Sequence, residues 1–436
     1  MTMKKPTKKK RTNLADSLQH TGYLAVAKTR AKILKVFSLV VPMRKPVLLV
    51  GENACDELCD MLINEGSTNV FIVTDAVLNK LGVPEKVTNY LQEKNIRYQI
   101  YDGITPDPTS KVIEDGLQHS VDAGCDVVLA IGGGSVIDAA KMIAMCQGNN
   151  CQPKQLIGLF RARKPCLPLY CIPTTAGTGS EATIGAVVSD DETHQKSIVV
   201  DTKMIPLAAA IDPTIMQGMP PHITADTGID VLTHALESWM SVNASAETDY
   251  YAAAAVKAVM HYLPIAYKDG SDLKAREEMG IAAHYGGLAL NKAALGYVHA
   301  IAHQLGAYYG TPHGRANAIV LPYVLELNRK ASEKRLAILA KKTGVVKDSE
   351  PTEHSDAELA DYFIAQVKSL IESIGISPIV RDMQSSDFDH MAKAAAKEVR
   401  DTYAVPAYMN GSDIKDILMR IKTASEMANH NKPVSD

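Results

Sequence analysis

The stretch DVVLAIGGGSVIDAAK, residues Asp126 to Lys141, sets the fold class of this chain. An aliphatic run ends at Ile131, three glycines follow, and apolar residues with helical spacing come next. The pattern predicts a strand, a tight turn and a helix that Ser135 caps. Glycines let a ligand approach the backbone, and the free amides at a helix start suit a pyrophosphate. A plain tight turn is the alternative interpretation.

Similar units lie on both sides of this stretch. Short β-rich runs such as PVLLVG, NVFIVTD and LPLYCIP alternate with amphipathic segments, including a helix predicted over Ala54 to Asn64. A second loop of small hydroxyl residues, PTTAGTGSEA from Pro173 to Ala182, follows one of the predicted strands. The alternation predicts a mostly parallel sheet with helices on both faces. Two such loops at the ends of strands favour a nucleotide site at that edge of the sheet.

Asp75 ends the predicted strand VFIVTD. A carboxylate at this place in a nucleotide-binding fold can accept hydrogen bonds from a ribose diol, and it would repel a 2′-phosphate. The residue therefore favours NAD over NADP as the cofactor. The alternative is an ordinary helix cap.

After about Pro221 the segments are long, rich in Ala, Leu and Met, and helical in spacing. The prediction is an α/β, Rossmann-like dinucleotide-binding domain followed by an all-α domain. The boundaries we predict are a basic N-terminal arm or helix at 1–40, the α/β domain at 41–221 and the all-α domain at 222–436.

The helical half contains GYVHAIAHQLGAYYGTPHGRANA, which begins at Gly296. His299 and His303 are four residues apart in a helical pattern, so both imidazoles project from one face. His313 stands between a proline and a glycine, which predicts a loop after that helix. Three histidines in one short stretch are candidates for metal binding.

A second pair with the same spacing, Asp230 and His234, lies upstream in GIDVLTHALE. One carboxylate and several imidazoles suit a divalent metal such as Fe(II) or Zn(II), and a catalytic site would keep one position open. The alternative is a set of buried histidines that make ordinary hydrogen bonds. Several buried imidazoles without a shared partner would, however, leave polar groups unsatisfied.

Composition describes an ordinary globular chain. It has 436 residues, 46% of them hydrophobic and 22% charged, and a net charge of -3, which favours no nucleic-acid partner. Residues 1–45 hold twelve Lys and Arg and one acid, so the arm is basic and the remainder acidic. The arm fits a packed N-terminal helix, a surface-lying amphipathic helix, a nucleic-acid patch or a transit peptide.

Cysteine usage and hydropathy bear on the compartment. The seven cysteines form no CxxC pair, which is typical of free thiols in a reducing compartment. No apolar run reaches the length of about 18 residues that a membrane span requires. We therefore expect a cytoplasmic protein without a transmembrane segment.

With these motifs together, the chain resembles the iron-containing (group III) alcohol dehydrogenase family, from roughly Phe37 to Lys330 and more loosely to the end. GGGSVIDAAK is similar to the family's pyrophosphate loop, and PTTAGTGSE is similar to its second nucleotide loop. GIDVLTHALE, followed by GYVHAIAHQLGAYYGTPHGRANA, is similar to its metal signature.

The resemblance implies a role for each matching residue. The implied metal ligands are Asp230, His234, His299 and His313, and His303 corresponds to a catalytic residue near the reacting carbon. The implied cofactor-binding residues are Asp75, Asp107, Gly132, Gly133, Gly134, Ser135, Thr174, Thr175, Thr178 and Lys196.

Several features depart from the family pattern, and two of them lie near the implied site. Asp107 stands where the family often has asparagine, close to the implied cofactor. DTYAVPAYMNGSDI replaces the usual Asn-Pro-Arg element near the C-terminus, which the resemblance places at the lid of the substrate pocket.

The implied function is a metal-dependent oxidoreductase that interconverts a primary alcohol or diol and its aldehyde or ketone with NAD(H). The substrate oxygen would lie at an Fe(II) centre, with Zn(II) as the alternative metal, and hydride would pass to or from the nicotinamide in the cleft between the domains. The resemblance also implies a homodimer or larger homo-oligomer. Rival hypotheses are a zinc-dependent, glycerol-dehydrogenase-like polyol oxidoreductase, a non-redox metal-dependent hydrolase or lyase, and a non-catalytic assembly or membrane-surface protein.

Overall fold

A computed structural model describes residues 29–30, 43–192, 196–346 and 354–430. Most of the basic arm, and with it the predicted N-terminal helix, lies outside the described residues. Within them, no helix is long and apolar enough to cross a membrane.

The strands all lie in the first half of the described chain. In chain order they are β1 (Val47–Val50), β2 (Asn69–Val73), β3 (Arg97–Tyr101), β4 (Val127–Gly132), β5 (Gly158–Leu159), β6 (Leu169–Pro173), β7 (Gly185–Ser189), β8 (Lys196–Val200) and β9 (Ala208–Ile211). Six of them form one sheet in the order β1-β9-β6-β4-β2-β3, and every pair in it is parallel. The predicted parallel sheet is confirmed.

Helices cover both faces of this sheet. They are α1 (Ala54–Asn64), α2 (Ala76–Lys80), α3 (Glu85–Glu93), α4 (Ser110–Asp122), α5 (Gly134–Asn149) and α6 (Pro213–Met216). Val70 and Ile72 of β2 pack in the core that contains α1 and α3, whereas Phe71 and Val73 pack in the core that contains α4 and α5. Alternate residues of a strand point to opposite faces, so a strand buried on both sides must be apolar throughout.

A three-stranded sheet, which the sequence analysis did not predict, lies beside the main one. β7 and β8 pair antiparallel, and β5 pairs with β8 in parallel. Ala186 and Val188 of β7 are buried in the same core as α5. Val187, between them, is less buried, and β7 and β8 lack the continuous apolar run that marks the main sheet.

Beyond β9, the described residues contain helices and no strand. These helices are α7 (Pro221–Met240), α8 (Ala246–Lys268), α9 (Leu273–Ala293), α10 (Tyr297–Tyr309), α11 (His313–Lys342), α12 (Asp356–Ser373), α13 (Phe388–Thr402) and α14 (Gly411–His430). From Gly228 to Met240, every residue of α7 is buried, because α8, α9 and α11 pack around it. The predicted helical half is confirmed, and the division of the chain at residue 221 stays a prediction.

Two glycines bring the sheet half and the helical half into backbone contact. Gly179, in the second glycine loop, has a φ of +61°, and a Cβ there would lie 2.5 Å from the carbonyl oxygen of Ala283 in α9. A Cβ on Gly287 of α9 would lie 2.5 Å from the carbonyl oxygen of Gly179. Asn291, one turn further along α9, donates to the Ala182 carbonyl at 2.7 Å. The second loop is therefore fixed on α9.

We expect Gly287→Ala to lower the midpoint of thermal unfolding, because its Cβ would force the two backbones apart at a cost of about 1–3 kcal/mol. Gly286→Ala is the matched control. The nearest atom to a Cβ at Gly286 is 3.5 Å away, and alanine is favoured in a helix by about 0.5–1 kcal/mol. Equal unfolding midpoints for the two variants would contradict the close contact between Gly287 and Gly179.

Candidate metal centre and nucleotide site

The four predicted metal ligands converge on one point in the helical half. Asp230 and His234 lie one turn apart on α7, His299 lies on α10, and His313 begins α11. The Oδ1 atom of Asp230 is 3.7 Å from Nε2 of His234, 3.5 Å from Nε2 of His299 and 3.6 Å from Nε2 of His313. Ligand atoms at about 2.1 Å from a tetrahedral metal lie roughly 3.4 Å apart, so these spacings fit a shared divalent cation.

Three of these residues form the tightest group. Donor atoms of Asp230, His299 and His313 all lie within 4.8 Å of one another. His234 joins them at one side, where its ring stacks on His299 at 4.7 Å between centroids. The relative exposures of Asp230, His234 and His299 are 2%, 5% and 1%, so water contributes little to satisfying them.

The charges at this point suit a cation. Burial would raise the pKa of Asp230, but the adjacent His234 and His313 lower it, so the carboxylate is ionised. Desolvation of the ring and the adjacent His299 lower the pKa of His313 to about 3, which leaves this imidazole neutral at neutral pH, while 37% of its side chain is exposed. Burial also acts to lower the pKa of His299, but Glu237 and Asp230 raise it to about 9. Metal binding would therefore displace a proton from His299.

The Pro-His-Gly sequence predicts a loop at His313, and that prediction is wrong. Gly310, with a φ of +62°, ends α10, and Pro312 is the N-cap of α11. Proline suits the start of a helix because its missing N–H would have no intrahelical partner there. His313 is thus the first residue of a 30-residue helix, which holds it more firmly than a loop would.

Glu237 is a residue that the sequence analysis missed. Its Oε2 atom lies 2.7 Å from Nδ1 of His299 and accepts from the backbone N–H of Gly296 at 2.8 Å, while Oε1 accepts from Val298 at 2.7 Å. The carboxylate thus satisfies two amides at the start of α10 and orients the imidazole. Its spacing of three residues from His234, on the same face of α7, was the available signal.

Asn317 was also missed. It is fully buried one turn after His313 on α11, and its Nδ2 atom donates to Oδ1 of Asp230 at 2.7 Å. The same nitrogen lies 3.2 Å from Nε2 of His299 and 3.3 Å from Nε2 of His313. An amide that reaches three candidate ligands at once helps to keep them together.

His303 lies beside this group and outside it. Its ring stacks on that of His313, with the centroids 5.4 Å apart and an interplanar angle of 20°. Its Nδ1 atom is 2.8 Å from Oε1 of Glu398 on α13. Its side chain is 28% exposed, between the 1% of His299 and the 37% of His313. Contact with both solvent and the ligand group suits a residue that moves a proton.

The predicted pyrophosphate loop lies at the carboxyl end of β4. The N-cap of α5 is Gly133, which has no side chain to bond the first turn. The prediction that Ser135 caps this helix is therefore wrong, because Ser135 already lies inside the first turn. The first amides of α5 keep no side-chain cap, and they lie at the positive end of the helix dipole.

The second loop packs directly on the first. A Cβ on Gly134 would lie 2.5 Å from Cγ2 of Thr178, and one on Gly133 would lie 3.3 Å from Oγ1 of Thr175. Thr174 donates its backbone N–H to the Gly132 carbonyl at 3.1 Å. β4 and β6 are neighbours in the sheet, so both loops leave the same edge. The structure brings all the predicted glycines and threonines together.

A fully buried lysine supports this second loop. Lys141, on α5, donates to Ser180 Oγ at 3.0 Å, to Thr183 Oγ1 at 2.9 Å and to the Gly185 carbonyl at 2.7 Å. Asp138, one turn earlier, accepts from Ser180 Oγ at 2.5 Å. The end of GGGSVIDAAK therefore anchors the second loop and the start of β7 to α5.

The three charged residues predicted to bind cofactor surround these loops. Asp75 is the N-cap of α2, where its Oδ1 atom accepts from two backbone amides at 2.9 Å. Asp107 has a φ of +54°, and its carboxylate pairs with Lys196 at 2.7 Å. The Asp107 N–H also donates to Ser135 Oγ at 3.4 Å. Asp75 is thus a helix cap, and its contact with a ribose stays a prediction.

Comparisons with known proteins cover both halves of the chain. Residues 46–213 match the family model for iron-containing alcohol dehydrogenase, and residues 224–422 match the C-terminal model of the same family. The chain is 36% identical to alcohol dehydrogenase 4 of Schizosaccharomyces pombe over 382 residues, which is 87% of each chain. It is 33% identical to the NAD-dependent methanol dehydrogenase of Bacillus methanolicus over 375 residues, 86% of this chain and 97% of the relative.

A solved structure of 1,3-propanediol oxidoreductase has the same architecture. The TM-score is 0.82 at 34% identity, over 87% of this chain and 100% of that one. The two family models together span most of the chain, and the solved structure shares its fold. The chain therefore belongs to the iron-containing alcohol dehydrogenase family.

Proposed function

We propose that the protein interconverts a primary alcohol or diol and its aldehyde or ketone with NAD(H), and that Asp230, His234, His299 and His313 hold Fe(II). A bound divalent cation would supply Lewis-acid chemistry, which polarises the substrate oxygen. The observation that carries this proposal is the convergence of three imidazoles on one buried carboxylate oxygen, at 3.5–3.7 Å.

The contact between the second loop and α7 supports a shared site for cofactor and metal. Gly177 lies against Thr227, which is three residues before Asp230 on α7, and a Cβ on Gly177 would be 2.7 Å from Cβ of Thr227. A dinucleotide held by the two loops would therefore extend toward the ligand group. The chain's task is to fix the distance between the cofactor and the substrate carbon.

Each side of the nucleotide site has a defined task in this proposal. The uncapped amides at the start of α5 bind the pyrophosphate, and Thr174, Thr175 and Thr178 line its other side. Lys196 supplies a positive charge beside the two loops, where it pairs with Asp107. The half-buried carboxylate of Asp75 accepts a ribose hydroxyl and disfavours a phosphate at the same place.

His303 is the proposed catalytic residue for proton transfer. Its partial exposure and its contact with His313 support a route between the substrate hydroxyl and solvent. Family membership favours an oxidoreductase over the non-redox hydrolase or lyase and over the assembly protein. Imidazole and carboxylate ligands also accept Zn(II), so a zinc-dependent polyol oxidoreductase is the second candidate.

Replacing His299 and replacing His303 should have different effects on the metal content of the protein. We expect His299→Ala to lose bound metal, because it removes one of the four proposed ligands. His303→Ala should keep metal at the level of the unchanged protein and lower kcat by about 10²–10⁴-fold, the usual range for general acid-base catalysis. Metal content by mass spectrometry and steady-state kinetics check both results.

The exposed His390, replaced by alanine, is the matched control and should change neither quantity. Full metal retention and full activity in His299→Ala would contradict the ligand assignment. Loss of metal in His303→Ala would make that histidine a ligand and not the catalytic residue.

Asp75→Asn should weaken the preference for NADH over NADPH. Asparagine caps a helix as well as aspartate does, so the fold should be kept while the charge that repels a 2′-phosphate is removed. A Coulomb energy of about 1 kcal/mol corresponds to a change of about fivefold in the ratio of kcat/KM values. An unchanged ratio, with an unchanged unfolding midpoint, would show that Asp75 acts only as a helix cap.

A further inference from the structure

A hydrogen-bonded chain of three side chains joins α10 to α13 beside the candidate metal centre. Nδ1 of His303 lies 2.8 Å from Oε1 of Glu398. The hydroxyl of Tyr403, which follows α13 as its C-cap, donates to the same oxygen at 2.8 Å. Tyr403 lies in DTYAVPAYMNGSDI, the segment that departs from the family pattern.

His303 and Tyr403 both contact Oε1 of Glu398, and this arrangement defines which of the three groups carries a proton. Burial would raise the pKa of Glu398, but the hydrogen bonds from His303 and Tyr403 lower it, so Glu398 is ionised and accepts only. Burial and the adjacent Glu398 raise the pKa of Tyr403 well above its usual value, so its hydroxyl remains a donor. The atom of His303 that faces Glu398 must therefore be an N–H.

A neutral imidazole that donates through Nδ1 has its lone pair on Nε2. Among the described residues, Nε2 of His303 has no hydrogen-bond partner. The ring is held on its other side by stacking on His313 and by a T-shaped contact with His299, 6.1 Å between centroids. Glu398 and the two rings thus fix both the tautomer and the orientation of His303.

We propose that Glu398, held by Tyr403, is a positioning residue that keeps His303 in the Nδ1–H tautomer, with Nε2 directed to the substrate hydroxyl. The inference rests on the proposed alcohol–aldehyde reaction. In the oxidation, a bound NAD would take a hydride from the carbon, and the hydroxyl proton would go to Nε2 of His303. Glu398 remains ionised and balances the imidazolium, and solvent later removes the proton. Aldehyde reduction runs the same transfers in reverse.

The alternative is a purely structural link between α10 and α13. A structural link would also be weakened by substitution, so loss of activity alone does not separate the two. A residue that acts through His303 must, in contrast, have no effect once His303 is absent. That difference defines the experiment.

We would measure NADH-dependent aldehyde reduction by Glu398→Gln, by Tyr403→Phe, and by Glu398→Gln combined with His303→Ala. Glu398→Gln should lower kcat about 10- to 100-fold, the usual effect of removing a carboxylate that orients a functional histidine. The KM values and the metal content should stay within about twofold, because neither ligands nor loops are touched. Tyr403→Phe should cause a smaller loss, because Glu398 keeps its bond to His303.

In the His303→Ala background, Glu398→Gln should cause no further loss. An equal loss in both backgrounds, or an unchanged kcat in the single variant, would overturn the proposal. If Glu398→Gln fails to fold, Tyr403→Phe in the two backgrounds gives the same comparison, and an equal loss there would also overturn it. Activity absent from the unchanged, metal-loaded protein would instead refute the proposed function.

NMR spectroscopy tests the tautomer of His303 independently of enzyme activity. In ¹⁵N-histidine-labelled protein, the signals lost in His303→Ala identify His303. We expect the protonated nitrogen to be Nδ1 in the unchanged protein and to shift toward Nε2 in Glu398→Gln, where the amide can donate. A proton on Nε2 in the unchanged protein would contradict the inference.

Discussion

The buried carboxylate of Asp230 is the constraint on which the rest of the site depends. An ionised group in the interior costs several kcal/mol unless opposite charge or hydrogen bonds compensate for it. Around Asp230, three imidazoles and the amide of Asn317 supply that compensation, and a divalent cation would complete it. Packing of α8, α9 and α11 around α7 buries Asp230, and α10 and α11 bring His299 and His313 to it.

The ligand group is supported in turn by a second layer of polar contacts. Glu237 orients His299 and satisfies the first amides of α10, and Glu398 orients His303 from α13. Close glycine contacts fix the second loop on α9, and Lys141 donates hydrogen bonds to its Ser180 and Thr183 hydroxyls. Packed backbone as well as side chains therefore hold the proposed cofactor site and the candidate metal site in one geometry.

Much of this arrangement could be predicted from local patterns. Apolar spacing predicted α1 over Ala54–Asn64, as the structure has it, and the alternation of strands and helices predicted the parallel sheet. The helix start at His313 was missed because a Pro-His-Gly sequence also suits a turn. The spacing of Glu237 from His234 places it on the ligand face of α7, but its contact with His299 spans 62 residues of chain, and the contact of Glu398 with His303 spans 95, so neither partner could be named from the sequence. The short strands β7 and β8 lacked the continuous apolar run that marks buried strands.

The most direct test of the central claim is NADH oxidation with short aldehydes, by protein stripped of metal and reloaded anaerobically with Fe(II) or with Zn(II). The account predicts no activity in the stripped protein, recovery with Fe(II), and a much lower rate with NADPH. Stoichiometric metal loading without activity from either metal would contradict it, since the ligand group would then hold a cation that takes no part in redox chemistry.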